Sequence, residues 1–345
     1  MTADSRRPAT MADVARMAGV SVPTVSRVLS GAARVSPLKR ERVEAAISAL
    51  SFRPSAAARI LASRQPMAIA VVAGDTSKYG YAETIRGIES AARAEGYTVM
   101  ITVVESPEDE EVDRALRLVL TQAIAGVVVL KFDPPGVAAL RRMPPDMPVV
   151  ALSGVRSIGV RQAVLDEASA AEELTNHLLD LGHATVHHVP VPPSRREDGR
   201  TTGWRRALRA AGARVPPLEA ATWSPHTARD IGRRLAENPD VSAVFCGNDE
   251  IAMGVIRGLA DRGLVTPDDV SVVGFDDHPL AALWSPAITT VKQDFLRLGE
   301  RGFALLMGAV NGTSTRRFSS DRPRVVIRSS TAPPPARRAT PRPPA

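Results

Sequence analysis

From Met67 onward the sequence alternates short apolar segments with longer amphipathic ones, and this alternation restricts the fold more than any other feature of the chain. Strands that alternate with helices indicate parallel sheets covered by helices. The region is long enough for two such lobes rather than one. The predicted strands are MAIAVVAG, YTVMITVV, GVVVL, PVVAL, ATVHHVPV, SAVFCG and VSVVGFDD, and the predicted helix stops are Gly96, Gly182, Gly212 and Gly263.

The N-terminal segment has a different pattern, in which short helices follow one another closely. Thr10 and Asp13 form a capping-box pattern that predicts a helix from Met11 to Ala18, and Gly19 is expected to end it. Ser21 is expected to cap a second helix, whose apolar residues recur at helical spacing. Two short helices joined by a turn that contains glycine are typical of a helix-turn-helix.

One further helix and a possible switch segment complete this region. Ser36 and Pro37 predict the start of a third helix that runs to about Leu50. Pro54 interrupts the chain, and residues 55–63 could form one more short helix. Because so short a helix is marginal in water, we expect it to form only when docked.

The excess positive charge of the chain is confined to this N-terminal segment. Residues 1–65 contain eleven Lys and Arg against four Asp and Glu, and so carry the whole formal net charge of +7. The rest of the chain is neutral overall. A localised basic charge on patterned helices suits a nucleic-acid phosphate backbone better than it suits a solvated tail.

Cysteine content and hydropathy indicate where the protein acts. Cys246 is the only cysteine, which excludes an intrachain disulfide framework and fits a reducing compartment. The first residues contain no apolar segment of the signal-peptide type, and no apolar run approaches the length of a membrane span. We therefore expect a cytoplasmic, nucleoid-associated protein that does not bind a membrane.

Five segments carry a similarity to a known family. They are TMADVARMAGVSVPTVSRVLSG, RERVEAAISALSFRPSAAARILA, GWRRAL, AVFCGNDEIAMGVIRGL and DDVSVVGFDDHPLA. In order and spacing they resemble the lactose-repressor/galactose-repressor (LacI/GalR) family of transcriptional regulators. The resemblance implies an α/β fold: a helical helix-turn-helix headpiece and hinge helix, then a two-lobed, parallel-sheet effector domain similar to periplasmic binding proteins.

The resemblance also implies domain boundaries. We expect the headpiece at 1–53, a hinge helix or linker at 54–65, an effector-binding and dimerisation domain at 66–330, and a disordered Pro-rich tail at 331–345. The two lobes are expected to comprise about 66–165 with 291–320, and 166–290 with 321–330. A Pro-rich tail cannot form the additional tetramer-forming helix of the lactose repressor, so we expect a homodimer.

In a helix-turn-helix the N-terminal residues of the second helix meet base edges in the major groove. Arg27 can bind guanine or clamp a phosphate. By resemblance, Val22 and Pro23 lie where operator choice is made, and Leu61 is the hinge residue that wedges into the minor groove, although it could instead pack in the core. The predicted DNA-binding residues are Thr10, Ser21, Val22, Pro23, Thr24, Ser26, Arg27, Arg34, Ser55, Ala58, Leu61 and Ala62.

For the effector domain the resemblance implies a cleft between the lobes. Asp276 follows a predicted strand, at the end where open α/β sheets bind ligands, whereas Asp277 is expected to cap the loop. Trp223 could stack on a sugar ring or belong to the core, and the guanidinium of Arg200 could bind hydroxyls or a carboxylate. Asn248 and Asp249 are expected both to cap a helix and to bind. The predicted effector-binding residues are Tyr81, Arg200, Trp223, Asn248, Asp249 and Asp276.

Several segments depart from the family pattern, and they bear on the identity of the effector. They are ASAA after Asp166, Ala125-Gly126 before GVVVL, and TSKYGYAE. We expect a repressor that binds palindromic operator DNA and responds to a sugar or glycoside as inducer. An activator, or a response to a nucleobase corepressor, uses the same parts and stays open.

Two other classes of protein are disfavoured. Cys246 lies in an apolar strand, and His187 and His188 point to opposite faces of a strand, so neither forms an evident nucleophile or metal pair. We also find no phosphate-binding loop or nucleophile elbow, and so expect neither catalysis, nor a metal, nor a cofactor. A periplasmic sugar-binding protein would share the lobes but lack the basic headpiece.

Overall fold

A computed structural model of the 345-residue chain describes residues 9–29, 35–52, 66–193, 198–336 and 341. The chain divides into two compact units, Met1–Met67 and Ala68–Ala345.

The first unit contains the predicted helix-turn-helix. The helices in the described part of this unit are α1 (Met11–Ala18), α2 (Val22–Leu29) and α3 (Pro37–Ala49). Thr10 and Asp13 form the predicted capping box, and Gly19 ends α1 in the left-handed conformation with φ of 62°. Ser36 precedes α3, but its side chain makes no capping hydrogen bond. The small core of this unit consists of Val14, Ala15, Ala18, Val25, Val28, Val43, Ala46 and Phe52.

The first lobe of the second unit, called lobe 1, is a parallel sheet of six strands in the order β10-β5-β4-β3-β1-β2. Buried aliphatic side chains from both faces of the sheet pack against helices. Its elements are β1 (Ala68–Ala73), α4 (Tyr79–Ala94), β2 (Thr98–Val103), α5 (Asp109–Leu120), β3 (Val127–Leu130), α6 (Pro134–Arg141), β4 (Val149–Ser153), β5 (Gln162–Leu165), α11 (Phe295–Val310) and β10 (Phe318–Asp321).

The other lobe, lobe 2, is built around the parallel sheet β6-β7-β8, with the antiparallel pair β9 and β11 beside it. Its sheet is also covered by helices on both faces. Its elements are α7 (Glu167–Asp180), β6 (His187–Val189), α8 (Gly199–Ala210), α9 (Pro225–Glu237), β7 (Ala243–Cys246), α10 (Asp249–Asp261), β8 (Ser271–Val273), β9 (Thr290–Lys292) and β11 (Arg324–Val326).

The chain passes between the lobes after β5, after β9 and after β10. The second crossing corrects the expected boundary at residue 291, because Thr290–Lys292 pair with β11 inside lobe 2 and the crossing falls at Gln293. The start of the expected disordered tail is also corrected. Thr331 is within 3.1 Å of His177 Nε2, and the backbone of Ala332 bonds to both His183 and Ser271, which anchors this segment to lobe 2.

The helix ends follow the glycine pattern of the sequence. Gly96, Gly182, Gly212 and Gly263 all have positive φ, between 65° and 100°. Each lies immediately beyond a helix of the second unit, as predicted.

Candidate functional site

The outward surface of α2 is the candidate DNA-reading surface of the first unit. Val25 and Val28 point into the core, which turns the other side of the helix to solvent. Val22 is 40% exposed, and Pro23 and Arg27 are also exposed. An apolar side chain and a proline at the start of this helix, followed by an arginine one turn later, suit contact with base edges and phosphate.

The other predicted DNA-binding residues of this unit have local partners or lie outside the described ranges. Thr10 donates its hydroxyl to the Asp13 carboxylate at 2.7 Å and so serves the cap of α1. Ser21 and Thr24 hydroxyls lie 2.9 Å apart, and Ser26 is half-buried. The residues outside the described ranges are Arg34, Ser55, Ala58, Leu61 and Ala62.

A cleft lies between lobes 1 and 2. Five of the six predicted effector-binding residues line it: Tyr81, Arg200, Trp223, Asn248 and Asp276. The aromatic and apolar side chains of the cleft that were not predicted include Phe132 and Phe295 of lobe 1 and Val191 of lobe 2. The cleft therefore has apolar walls with a few polar groups between them, which is the usual composition of a small-molecule site.

Arg200 lies at the floor of this cleft, only 7% exposed, and its donors are used within the protein. Its Nη2 donates to Glu167 Oε1 at 2.9 Å and lies 3.0 Å from Asp276 Oδ1, while its Nη1 donates to the Gly247 carbonyl. The guanidinium also stacks 4.5 Å from the Phe275 ring centroid. Burial alone would lower the pKa of Arg200, but the carboxylates of Asp276 and Glu167 outweigh it and raise the pKa.

This environment changes the role expected for Arg200. The sequence suggested that its guanidinium binds an effector carboxylate or hydroxyl, but two carboxylates already neutralise it. Arg200 therefore holds Glu167 and Asp276 in place at the floor of the cleft. Glycine at 154 allows the Glu167 carboxylate to approach this point, since a Cβ there would collide with it.

Asp276 has a strained backbone and an altered acidity. Its φ is 105°, a conformation that residues with a side chain rarely adopt and that is often retained at functional sites. Gln293 Nε2 donates to Asp276 Oδ1 at 2.8 Å, and the Oε1 of that amide is buried with no hydrogen-bond partner among the residues that the structure describes. Burial raises the pKa of Asp276 to about 6, although Arg200 acts in the opposite direction.

Asn248 and Asp249 have separate roles. Asn248 caps α10 by accepting from Ile251 N at 2.8 Å and also lines the cleft, as predicted. Asp249 does not line the cleft and is 1% exposed, so its prediction as an effector contact is not supported. Its carboxylate accepts from Thr290 Oγ1 and from the His278 backbone, both at 2.6 Å, and burial raises its pKa. It is a structural link between α10 and the loop after β8.

Asp277, expected to cap its loop, instead forms an ion pair with Arg328 at 2.5 Å. Tyr81 lines the cleft and donates its hydroxyl to Asp133, so this hydroxyl has no proton left to donate to a ligand. Burial, followed by the charge of Asp133, raises the pKa of Tyr81. Trp223 is half-buried, packs against the core of lobe 2 and lines the cleft, and its stacking on a sugar stays a prediction.

Two functional positions that the sequence analysis missed follow the same rule that located Asp276. Glu167 comes just after β5 and Gln293 just after β9, and both lie where a strand passes into a crossing between lobes. The strand-end rule would have found them had β5 and β9 been among the predicted strands. Lys78 and Lys131 also line the cleft, and nothing in the local sequence pattern indicates this.

Residues 10–55 match the bacterial regulatory proteins of the lacI family, and residues 175–331 match the periplasmic binding protein-like domain. The chain is 31% identical to catabolite control protein A of Priestia megaterium over 88% of this chain and 92% of that protein. It is 32% identical to the ribose operon repressor of Escherichia coli over 87% of this chain and 92% of that protein.

The chain belongs to the LacI family of bacterial regulatory proteins.

The fold agrees with this assignment. A solved lac repressor dimer, bound to operator and the anti-inducer ONPF, superposes with a TM-score of 0.87 at 27% identity, covering 94% of this chain and all of that one. The predictions of a LacI-type DNA-binding transcription regulator and of its two-part fold are thus confirmed.

The structure also bears on catalysis, metal binding and membrane insertion. Cys246 is fully buried in β7, and burial raises its pKa. Within the described ranges no group of three or more His, Cys, Asp or Glu is arranged to hold a metal ion. None of the helices in the described part of the chain combines the length and apolarity needed to cross a bilayer.

Proposed function

We propose that this LacI-family regulator is a repressor whose affinity for a palindromic operator is controlled by a sugar or glycoside bound between lobes 1 and 2. The observation that carries the proposal is the cleft itself, whose lining includes the aromatic side chain of Trp223 and the polar side chains of Asn248 and Asp276. Aromatic faces suit the CH faces of sugar rings, and amide and carboxylate groups suit vicinal hydroxyls.

The positive charge of Arg200 is balanced by neighbouring carboxylates, and this favours an uncharged ligand. Because Glu167 and Asp276 already balance its charge, this guanidinium offers little to an effector carboxylate or phosphate. Asp276 can instead accept from a ligand hydroxyl, and Asn248 can both donate and accept. The ribose operon repressor, among the relatives, also points to a saccharide.

For operator binding we propose that α2 reads the major groove through Val22, Pro23 and Arg27. Their exposure on one side of the helix supports this arrangement. We also propose that residues 1–53 form the headpiece and 54–65 the hinge, in which Leu61 wedges into the minor groove. Effector-dependent movement of the lobes would then act on the operator through the hinge.

We propose that the protein acts as a homodimer, in the cytoplasm, on nucleoid DNA. The lac repressor whose structure is similar is a dimer. Strand β2 lies at the edge of its sheet, with Ile101 48% and Val103 38% exposed, and in lobe 2 Leu283 is 80% exposed. A second copy that covers such apolar groups would remove an exposed edge. We propose no catalytic activity and no cofactor, in keeping with a family of regulators.

A thermal-shift screen tests the effector assignment. Sugars, nucleobases and amino acids are each added to the purified full chain, and a specific ligand raises the melting temperature by mass action. A saccharide should raise it, and the same saccharide should release the protein from operator DNA. Stabilisation by a nucleobase alone would refute the sugar assignment, and tighter operator binding with the saccharide would refute the inducer role.

A further inference from the structure

We propose that Lys78 is a specificity-determining residue of the cleft: its ammonium group occupies the face of Trp223 on which a sugar would stack, so effector binding requires its displacement. This inference rests on the proposed function of the cleft. In this proposal the side chain of Lys78 competes with the effector for the face of Trp223.

The position of Lys78 couples the two lobes. The residue immediately precedes α4 in lobe 1, and its Nζ lies 5.2 Å from the ring centroid of Trp223 in lobe 2. The same Nζ is 5.9 Å from the ring centroid of Tyr81. An ammonium group over aromatic rings at these distances makes a cation–π interaction. Lys78 therefore bridges the two lobes at the cleft.

Asp75 fixes the ammonium group in this position. Its carboxylate forms an ion pair with Lys78 and accepts from the backbone N and hydroxyl of Ser77, at 2.6 and 2.7 Å. The Lys78 side chain is only 27% exposed and the Asp75 side chain 23%. The backbone of Lys78 is fixed at the start of α4, and its ammonium group is fixed by Asp75. The side chain therefore loses less conformational freedom when it contacts Trp223 than a free surface lysine would.

Trp223 has no second side to offer a ligand. Its ring packs against the hydrophobic core of lobe 2, so only its cleft side can accept a sugar. That side is the one over which Lys78 lies. A ligand that stacks on Trp223 must therefore break the cation–π contact, and its affinity is reduced by the strength of that contact.

A second contact joins the two lobes. Because of it, the effect of removing the Lys78 ammonium group can be distinguished from the effect of opening the cleft. The rings of Tyr79 in lobe 1 and His278 in lobe 2 meet edge to face, 4.9 Å between centroids. This contact is independent of the Lys78 side chain. Removal of the ammonium group should therefore uncover Trp223 without removing every contact across the mouth.

The test uses the fluorescence of Trp223 in the full chain. Of the three tryptophans, Trp204 is fully buried and Trp284 is 37% exposed. A Trp284→Phe background therefore leaves Trp223 as the tryptophan that acrylamide can reach. In this background Lys78→Ala and Lys78→Gln should increase acrylamide quenching, whereas Lys78→Arg, which keeps a cation over the ring, should not.

Lys292→Ala is the matched control, because it removes the same charge from a side chain that is 51% exposed on β9. It should leave quenching at the parental level. Circular dichroism melts of each variant verify that it is folded. Unchanged quenching in folded Lys78→Ala and Lys78→Gln would overturn the proposal, as would an equal increase in Lys292→Ala.

Titration calorimetry of the same variants with D-ribose, D-galactose and cellobiose separates this inference from the function it rests on. A saccharide that binds the parent should bind Lys78→Ala about two- to thirtyfold more tightly, the range expected for a cation–π contact. Equal affinity would overturn the competitor role while the sugar assignment stood. If no saccharide binds any variant although quenching increases, the sugar assignment fails and the position of Lys78 over Trp223 is supported.

Discussion

The guanidinium of Arg200 lies 3.0 Å from the carboxylate of Asp276 at the floor of the cleft, where the side chains are 9% and 12% exposed. Asp276 approaches Arg200 from the end of β8 and Glu167 approaches it from the first crossing between lobes. Gln293, on the second crossing, donates to Asp276. These four residues join the ligand cleft to two of the segments about which the lobes can move.

We predict that Arg200→Ala destabilises the effector domain, in addition to any effect on ligand binding. Removal of one partner from a buried ion pair leaves uncompensated charge, at a cost of about 3–5 kcal/mol. Glu167 and Asp276 would both lose their cation. Urea unfolding followed by tryptophan fluorescence measures this, since all three tryptophans lie in this unit.

The double variant Arg200→Met, Glu167→Met is the matched test of that explanation. It removes the cation together with one of its carboxylates, and should therefore recover part of the stability lost in Arg200→Ala. Equal stability of Arg200→Ala and the wild type would show that the network contributes nothing to the fold.

We predict that Asp276→Asn weakens saccharide binding about ten- to hundredfold, because a hydrogen bond to a charged group contributes about 1.5–3 kcal/mol. Operator affinity without effector should be retained. Asp277→Asn is the control, since it makes the same chemical change at the next residue, whose carboxylate pairs with Arg328. Calorimetry of both variants decides, and equal losses would remove Asp276 from the ligand site.

The buried ring of His188 should make the effector domain sensitive to acid. Burial lowers its pKa from 6.5 to about 4 in the folded protein, where the ring bonds to the Phe245 carbonyl at 2.8 Å and to the Thr201 hydroxyl at 3.1 Å. Between these pH values the unfolded chain binds a proton that the folded chain does not. The stability contributed by this residue is therefore present above pH 6.5 and is lost as the pH falls toward 4, by on the order of 3 kcal/mol.

His188→Gln isolates this contribution. The raised pKa of Asp276 acts in the opposite direction over pH 4–6, but it is common to both proteins and cancels in the comparison. The difference in unfolding free energy between wild type and variant should therefore shrink as the pH is lowered from 7 to 4.5. A difference that is constant with pH would contradict the assignment.

Arg27 should contribute directly to operator binding. We predict that Arg27→Ala weakens binding by about 1–3 kcal/mol, whether it contacts a guanine or a phosphate, and that a phosphate contact would also reduce the salt dependence. Arg209→Ala, at an exposed position of α8 in the other unit, removes the same charge and serves as control. Fluorescence anisotropy over a salt series compares them, and identical affinities would remove Arg27 from the interface.

Elements with strong local signals could be predicted from the sequence, whereas those formed by distant contacts could not. The capping box at Thr10 and the glycine stops are local, and the structure has them where the pattern placed them. The short strands β5, β9, β10 and β11 are not among the predicted strands, because each is short and is stabilised by its partner strand. The boundary between lobes was misplaced for that reason.

Prediction from local sequence signals has the same limit for single side chains of the cleft. Asn248 and Asp276 could be placed there because they follow predicted strands, and Trp223 because of the resemblance to the family. The role of Arg200 could not, because Glu167, which neutralises it, is distant in sequence and meets it only in the folded chain. Lys78 reaches Trp223 across the cleft, and no local pattern specifies such a contact.

The most direct test of the account is selection of DNA from a random duplex library by the full chain, with a chain that lacks residues 1–65 as control. The full chain should enrich a palindrome of two half-sites, since a dimer presents two helix-turn-helix units to DNA. The truncated chain should enrich no sequence. Enrichment of the same palindrome by the truncated chain, or of no sequence by the full chain, would contradict the assignment of operator recognition to the headpiece.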